Sequence, residues 1–133
     1  MTLFLFLKKE WKMIDIKNYN SENIFAKILR KEIPSEMVYE DKEVLAFRDI
    51  NPIAPVHILI IPKKQYCSFE DFGEDADDKT ICGMIRSIPK ITRKLNIKDG
   101  YRLVTNIGKD GGQEVPHFHI HLLSGKQFRR ILP

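Results

Sequence analysis

In the run Val115-Pro116-His117-Phe118-His119-Ile120-His121-Leu122-Leu123, histidine occupies every second position, and Phe118, Ile120 and Leu122 fill the places between. A period of two belongs to a strand with unlike faces, so one face carries imidazole and the other faces a core. Of the chain's four histidines, three lie in this run and the fourth is His57. An imidazole with an ordinary pKa of about 6.5 is largely neutral at pH 7 and offers a bare ring nitrogen, which can take a proton, hold a metal or attack phosphorus. Imidazoles at this spacing can hold zinc, or can simply form a solvated strand face. The residues that follow, Ser124-Gly125-Lys126, bring no carboxylate or thiolate, and the chain has no Cys-x-x-Cys. The approach, Asn106-Ile107-Gly108-Lys109-Asp110-Gly111-Gly112-Gln113-Glu114, is rich in glycine and able to bring backbone N–H groups against an anion. An anion cradle beside imidazole points to phosphoryl or nucleotidyl transfer.

Other elements must position these groups. Ser21 can cap a helix in which Ile24, Phe25, Ile28 and Leu29 recur at three- and four-residue spacing, ending before Pro34. Val38 to Glu40 and Val44 to Arg48 read as short strands joined through Asp41-Lys42, and His57 to Ile61 as a nearly continuous apolar strand closed by Pro62. A lone histidine opening a buried strand is usually a hydrogen-bonded core residue. Between Phe69 and Asp78 lie Glu70, Asp71, Glu74, Asp75, Asp77 and Asp78, which suit the N-terminus of a following helix better than a metal. In that helix Ile81, Met84, Ile85, Ile88, Ile91, Thr92 and Leu95 form a core stripe, which Pro89 interrupts with an expected kink. Asp99-Gly100 then turns the chain into a strand from Tyr101 to Asn106, which feeds the glycine loop. The expected architecture is α+β, with two principal helices on an antiparallel sheet of about five strands.

The length of 133 residues suits one domain, and 43% hydrophobic with 30% charged residues suits a globular one. The net charge of +4 comes from lysines and arginines spread along the chain, which reads as a solvated surface rather than a nucleic-acid stripe. Cys67 and Cys82 give neither a disulfide framework nor a zinc spacing, so a reducing cytoplasm is the default. Residues Met1 to Leu7 are apolar, but too short for a membrane span and flanked wrongly for a secretory signal. Residues 1–20 are therefore read as a flexible extension, 21–128 as the domain and 129–133 as a short tail.

The run from Gly111 to Leu123 resembles the alternating signature of the histidine triad (HIT) family, and specifically its histidine triad nucleotide-binding (Hint) branch. The blocks Ile24 to Pro34, Leu45 to Pro52 and Ala54 to Lys63 resemble the same branch in the same order, so the likeness spans roughly residues 22 to 126. The resemblance implies a homodimer that hydrolyses purine nucleoside 5′-phosphoramidates with no metal or other cofactor, while the cysteines, the spread charges and the short apolar segment add the expectations of a cytoplasmic location and of no nucleic-acid or membrane partner. His119 is implied as the nucleophile, His121 and His57 as orienting and polarising groups, and His117 as an aid to proton movement toward the leaving group. Asp49 matches the ribose contact, and Phe25, Ile28, Ile33, Phe47 and Ile50 match the walls around the base. Asn106, Gly112 and Gln113 match phosphate-side positions, while Glu114 departs from relatives that carry a small hydroxyl residue there. The alternatives are a dinucleotide polyphosphate hydrolase or nucleotidyl transferase of another branch, and a non-catalytic nucleotide-binding protein.

Overall fold

A computed structural model describes residues 14–129, so the apolar N-terminal stretch lies outside the described residues. Five strands build one sheet: β1 (Met37–Glu40), β2 (Val44–Arg48), β3 (Val56–Pro62), β4 (Arg102–Val104) and β5 (Ile120–Ser124). Their order is β1-β2-β3-β5-β4 and every neighbouring pair is antiparallel. The central strands β2, β3 and β5 are almost wholly buried because both sheet faces are covered. On one face Val44, Ala46, Ile58, Ile60, Phe118, Ile120 and Leu122 meet Met84, Ile88 and Ile91 of the long helix. On the other, Leu45, Phe47, Leu59 and Ile61 meet Ile24, Phe25 and Ile28 of the first. Each such side chain taken fully out of water contributes about 1.5–3 kcal/mol before entropy is counted.

Among the described residues a short helix, α2 (Phe69–Asp75), accompanies the two principal ones expected, α1 (Ile24–Leu29) and α3 (Asp78–Lys94). The cap of α1 is Asn23, not Ser21; its fully buried side chain accepts the Ala26 N–H at 2.9 Å. The acidic stretch serves two helix starts instead of one. Ser68 and Asp71 form a reciprocal capping box on α2, and Asp77 accepts the Thr80 N–H at 2.8 Å to open α3. Helix α3 is not interrupted at Pro89 but runs through it to Lys94. Ile85, expected in the core stripe, is instead 53% exposed.

The strand read from the histidine run is also shorter than its alternation suggests. Pairing begins only at Ile120, opposite Ile60, while His117 and His119 lie on the approach to it. The two faces nevertheless persist through the approach: Phe118 packs with the α3 cluster, and the imidazoles take the α1 side. Strand β4 likewise spans three residues rather than six.

Candidate active site

The register of β3 on β5 sets the first contact. His57 lies opposite Leu123, which makes His121 its diagonal neighbour on the same face. His57 Nε2 and His121 Nδ1 are 2.9 Å apart. The Ile53 N–H donates to His57 Nδ1 at 3.2 Å, so that nitrogen is bare and the ring proton sits on Nε2. This N–H donates to His121 Nδ1, with Asp49 Oδ2 3.3 Å away beside it. His121 must then carry its own proton on Nε2. Burial pushes both imidazoles below their ordinary value, His121 to about 4, while the Asp49 carboxylate opposes the shift at each. Asp49 and His57 are thus neighbours through a hydrogen-bonded proton, not an ion pair.

His119 is oriented by backbone. Its Nδ1 lies 2.7 Å from the His117 carbonyl oxygen, which can only accept, so Nδ1 carries the proton and Nε2 keeps a lone pair. Burial, with the neighbouring His121 adding to it, pushes the His119 pKa down to about 3, so the ring is neutral at pH 7. The Phe25 ring meets it edge to face at 5.0 Å, and the His121 ring lies 5.1 Å away.

His117 differs from the role implied for it. It is completely buried: Nε2–H donates to the Pro62 carbonyl at 2.9 Å, and Nδ1 takes the Tyr19 hydroxyl at 2.6 Å. Burial lowers its pKa to about 4. Neither nitrogen is left to pass a proton to a leaving group, and the ring instead anchors the carbonyl on which His119 hangs.

One further expectation shifts. Gln113 is buried, donating through Nε2 to the carbonyls of Cys67 and Val115 at 2.7 and 2.9 Å, and accepting the Gly108 N–H at 2.9 Å. Its side chain is consumed in holding the loop, so it cannot reach a phosphate. The loop also closes on itself, with the Gly112 and Gln113 N–H groups donating to Lys109 and Gly108 carbonyls. Gly112 has φ 74°, and a Cβ on Gly111 would meet the Ile107 carbonyl oxygen and lie 2.7 Å from its nitrogen. Ile50 is 61% exposed and stands outside the apolar cluster that gathers Phe25, Ile28, Ile33 and Phe47. Asn106 is half-buried at the start of the loop and Glu114 is exposed at its end.

A family model described as HIT domain matches residues 30–128. A HIT-like protein of Rickettsia prowazekii is 48% identical over 110 residues, covering 82% of this chain and 92% of that protein. The chain belongs to the HIT family. The solved structure of a histidine triad protein from Clostridium difficile superposes with a TM-score of 0.74 at 44% identity, covering 85% of this chain and 98% of that one. A HIT family hydrolase from Clostridium thermocellum gives 0.77 at 39%, covering 85% and 99%. The same open five-stranded α+β sheet is common to them.

In this HIT protein Asp49, His57 and His121 could also hold a cation, since their ligand atoms lie within 4.8 Å of one another. A metal there would displace the proton between His57 and His121. A relative from Zea mays, 49% identical over 109 residues and covering 81% of this chain and 85% of that protein, is named a 14 kDa zinc-binding protein. What the sequence did not reveal is Tyr19, together with the Pro62 and His117 carbonyls and the Ile53 N–H that fix the imidazoles. Backbone partners leave no mark on residue type, and Tyr19 lies in a stretch without periodicity.

Proposed function

We propose that this HIT protein is a hydrolase of the nucleotide-binding branch, converting purine nucleoside 5′-phosphoramidates to the monophosphate and an amine. The observation that carries the reading is the state of His119: neutral, held through Nδ1–H, with the Nε2 lone pair uncommitted. In the proposed sequence Nε2 attacks the α-phosphorus and the phosphorus–nitrogen bond to the amine breaks. The amine nitrogen keeps the electron pair and leaves with a proton from solvent. Water then adds to phosphorus, loses a proton to solvent and releases His119 as neutral imidazole. The His121 Nε2–H is a donor for a non-bridging oxygen as charge builds in each transition state.

Binding follows the same face. The Asp49 carboxylate suits a ribose diol, which donates hydrogen bonds to it. Phe25, Ile28, Ile33 and Phe47 suit the base, and Asn106 with the Gly112 turn suits the phosphate side. This is room for one nucleotide, with Lys109 as the loop's one cation, whereas a dinucleotide polyphosphate needs a second basic surface. The solved hydrolase from Clostridium thermocellum agrees in class. A cytoplasmic homodimer accords with two free cysteines and with the edge strand β4, where Leu103 and the preceding Tyr101 are each 43% exposed. Among the described residues no helix is long and apolar enough to cross a membrane.

The test is kcat/KM for adenosine 5′-phosphoramidate beside that for diadenosine tri- and tetraphosphate. The reading expects a large preference for the phosphoramidate. Preference for the dinucleotides, or AMP binding with turnover of neither, overturns it.

A further inference from the structure

We infer that Tyr19 is a positioning residue for His119, acting through His117; the inference rests on the hydrolase reading above. Tyr19 precedes the capping residue of α1, yet its hydroxyl lies 2.6 Å from His117 Nδ1, and its ring meets the imidazole edge-on at 5.6 Å. The segment that carries it is tied down on both sides. Asp15 accepts the Lys17 and Asn18 N–H groups at 2.8 and 3.3 Å, and the Asn20 carbonyl accepts from Asn23 backbone and side chain at 3.2 and 2.8 Å. Ile16 lies against the glycine loop at Gly108.

A neutral imidazole has two tautomers, and in His117 only one of them serves the site. A hydroxyl donating to Nδ1 keeps that nitrogen bare and puts the proton on Nε2, where the Pro62 carbonyl needs a donor. The opposite tautomer sets the Nε2 lone pair against that carbonyl's oxygen in a site with no exposure to water. With the ring fixed at both nitrogens, the His117 backbone is fixed too, and its carbonyl is what holds the His119 Nδ1–H. The chain of effect is therefore Tyr19 hydroxyl, His117 tautomer, His117 carbonyl, and aim of the His119 lone pair. Tyr19 touches neither the reacting phosphorus nor the nucleophile.

The experiment compares Tyr19→Phe and Tyr19→Leu with wild type, using nitrogen-15 NMR of labelled histidines, turnover of adenosine 5′-phosphoramidate and AMP affinity. In wild type His117 is expected as the Nε2–H tautomer with a hydrogen-bonded Nδ1, and His119 as the Nδ1–H tautomer. In Tyr19→Phe the His117 Nδ1 resonance moves toward that of an unbonded nitrogen and His119 shows a second tautomer. Its kcat falls about tenfold, the worth of one buried hydrogen bond, with AMP affinity unchanged. Wild-type histidine resonances and kcat in Tyr19→Phe, with loss only in Tyr19→Leu, would leave the ring as packing and overturn the inference. So would wild-type His117 as the Nδ1–H tautomer, a measurement that stands even if Tyr19→Phe fails to fold. Should wild type fail to cleave the phosphoramidate, the hydrolase reading falls, while the resting protein's nitrogen resonances still judge Tyr19.

Discussion

Lowering the pH from 7 to 5 should destabilise this protein steeply while leaving His119 neutral in the folded state. All four histidines are pushed below their ordinary value by burial, His117 and His121 to about 4 and His119 to about 3. In the unfolded chain each titrates near 6.5. Between these values the unfolded state binds protons that the folded state refuses, so stability is fully present above the unfolded pKa and lost as pH falls toward the folded ones. Over this interval each group held neutral costs about 2 kcal/mol, and three such groups cost roughly 6, against a typical total of 5–15 kcal/mol. The slope of unfolding free energy against pH counts the protons directly, and near pH 5.5 it should correspond to between roughly two and three. Urea unfolding followed by circular dichroism at half-unit steps measures it, and His119→Gln should remove about one proton from the count. Turnover of the folded enzyme, by contrast, should show no acid limb near 6.5, because the folded imidazoles are already neutral there. Stability that stays flat between pH 7 and 5 would refute the burial argument.

His119→Ala should lower kcat by several orders of magnitude with AMP affinity little changed, since it removes a group needed only in the transition state; steady-state kinetics and calorimetry separate the two. Gly111→Ala should destabilise by roughly 1–3 kcal/mol and raise KM, because its Cβ would meet the Ile107 backbone and displace the loop, as thermal melts and substrate titration would report. Chelators should leave turnover unchanged, and added zinc should lower it by taking the proton's place between His57 and His121; activity lost to chelation would instead put a metal on Asp49, His57 and His121.

Much of the framework is legible in residue order. The alternation of His119, Ile120, His121 and Leu122 announces a two-faced element, and Phe118, Ile120 and Leu122 do pack with the α3 cluster. The apolar run of β3 and the pattern of β2 are found within a residue or so of their expected ends. The bounds of β5 were not legible, because the histidine alternation continues through an approach that pairs with no strand. The split of the acidic stretch was hidden because capping acids look alike whether they serve one helix or two. Gln113 left its expected surroundings for a related reason. An amide can be fully buried when its polar atoms find backbone partners. The tautomers, which decide what each imidazole can do, depend on carbonyls and N–H groups that residue type does not encode.

The central claim is that the Nε2 of His119 becomes bonded to phosphorus, and trapping that bond tests it most directly. Adenosine 5′-phosphoramidate would be mixed with enzyme, quenched within milliseconds in alkali, where phosphorus–nitrogen bonds to imidazole survive, and digested for mass spectrometry. The account predicts an adenylylated peptide whose modified residue is His119, formed and consumed at rates that support steady-state turnover, and missing in His119→Ala. Full turnover with no adduct, or an adduct on another histidine, would contradict it.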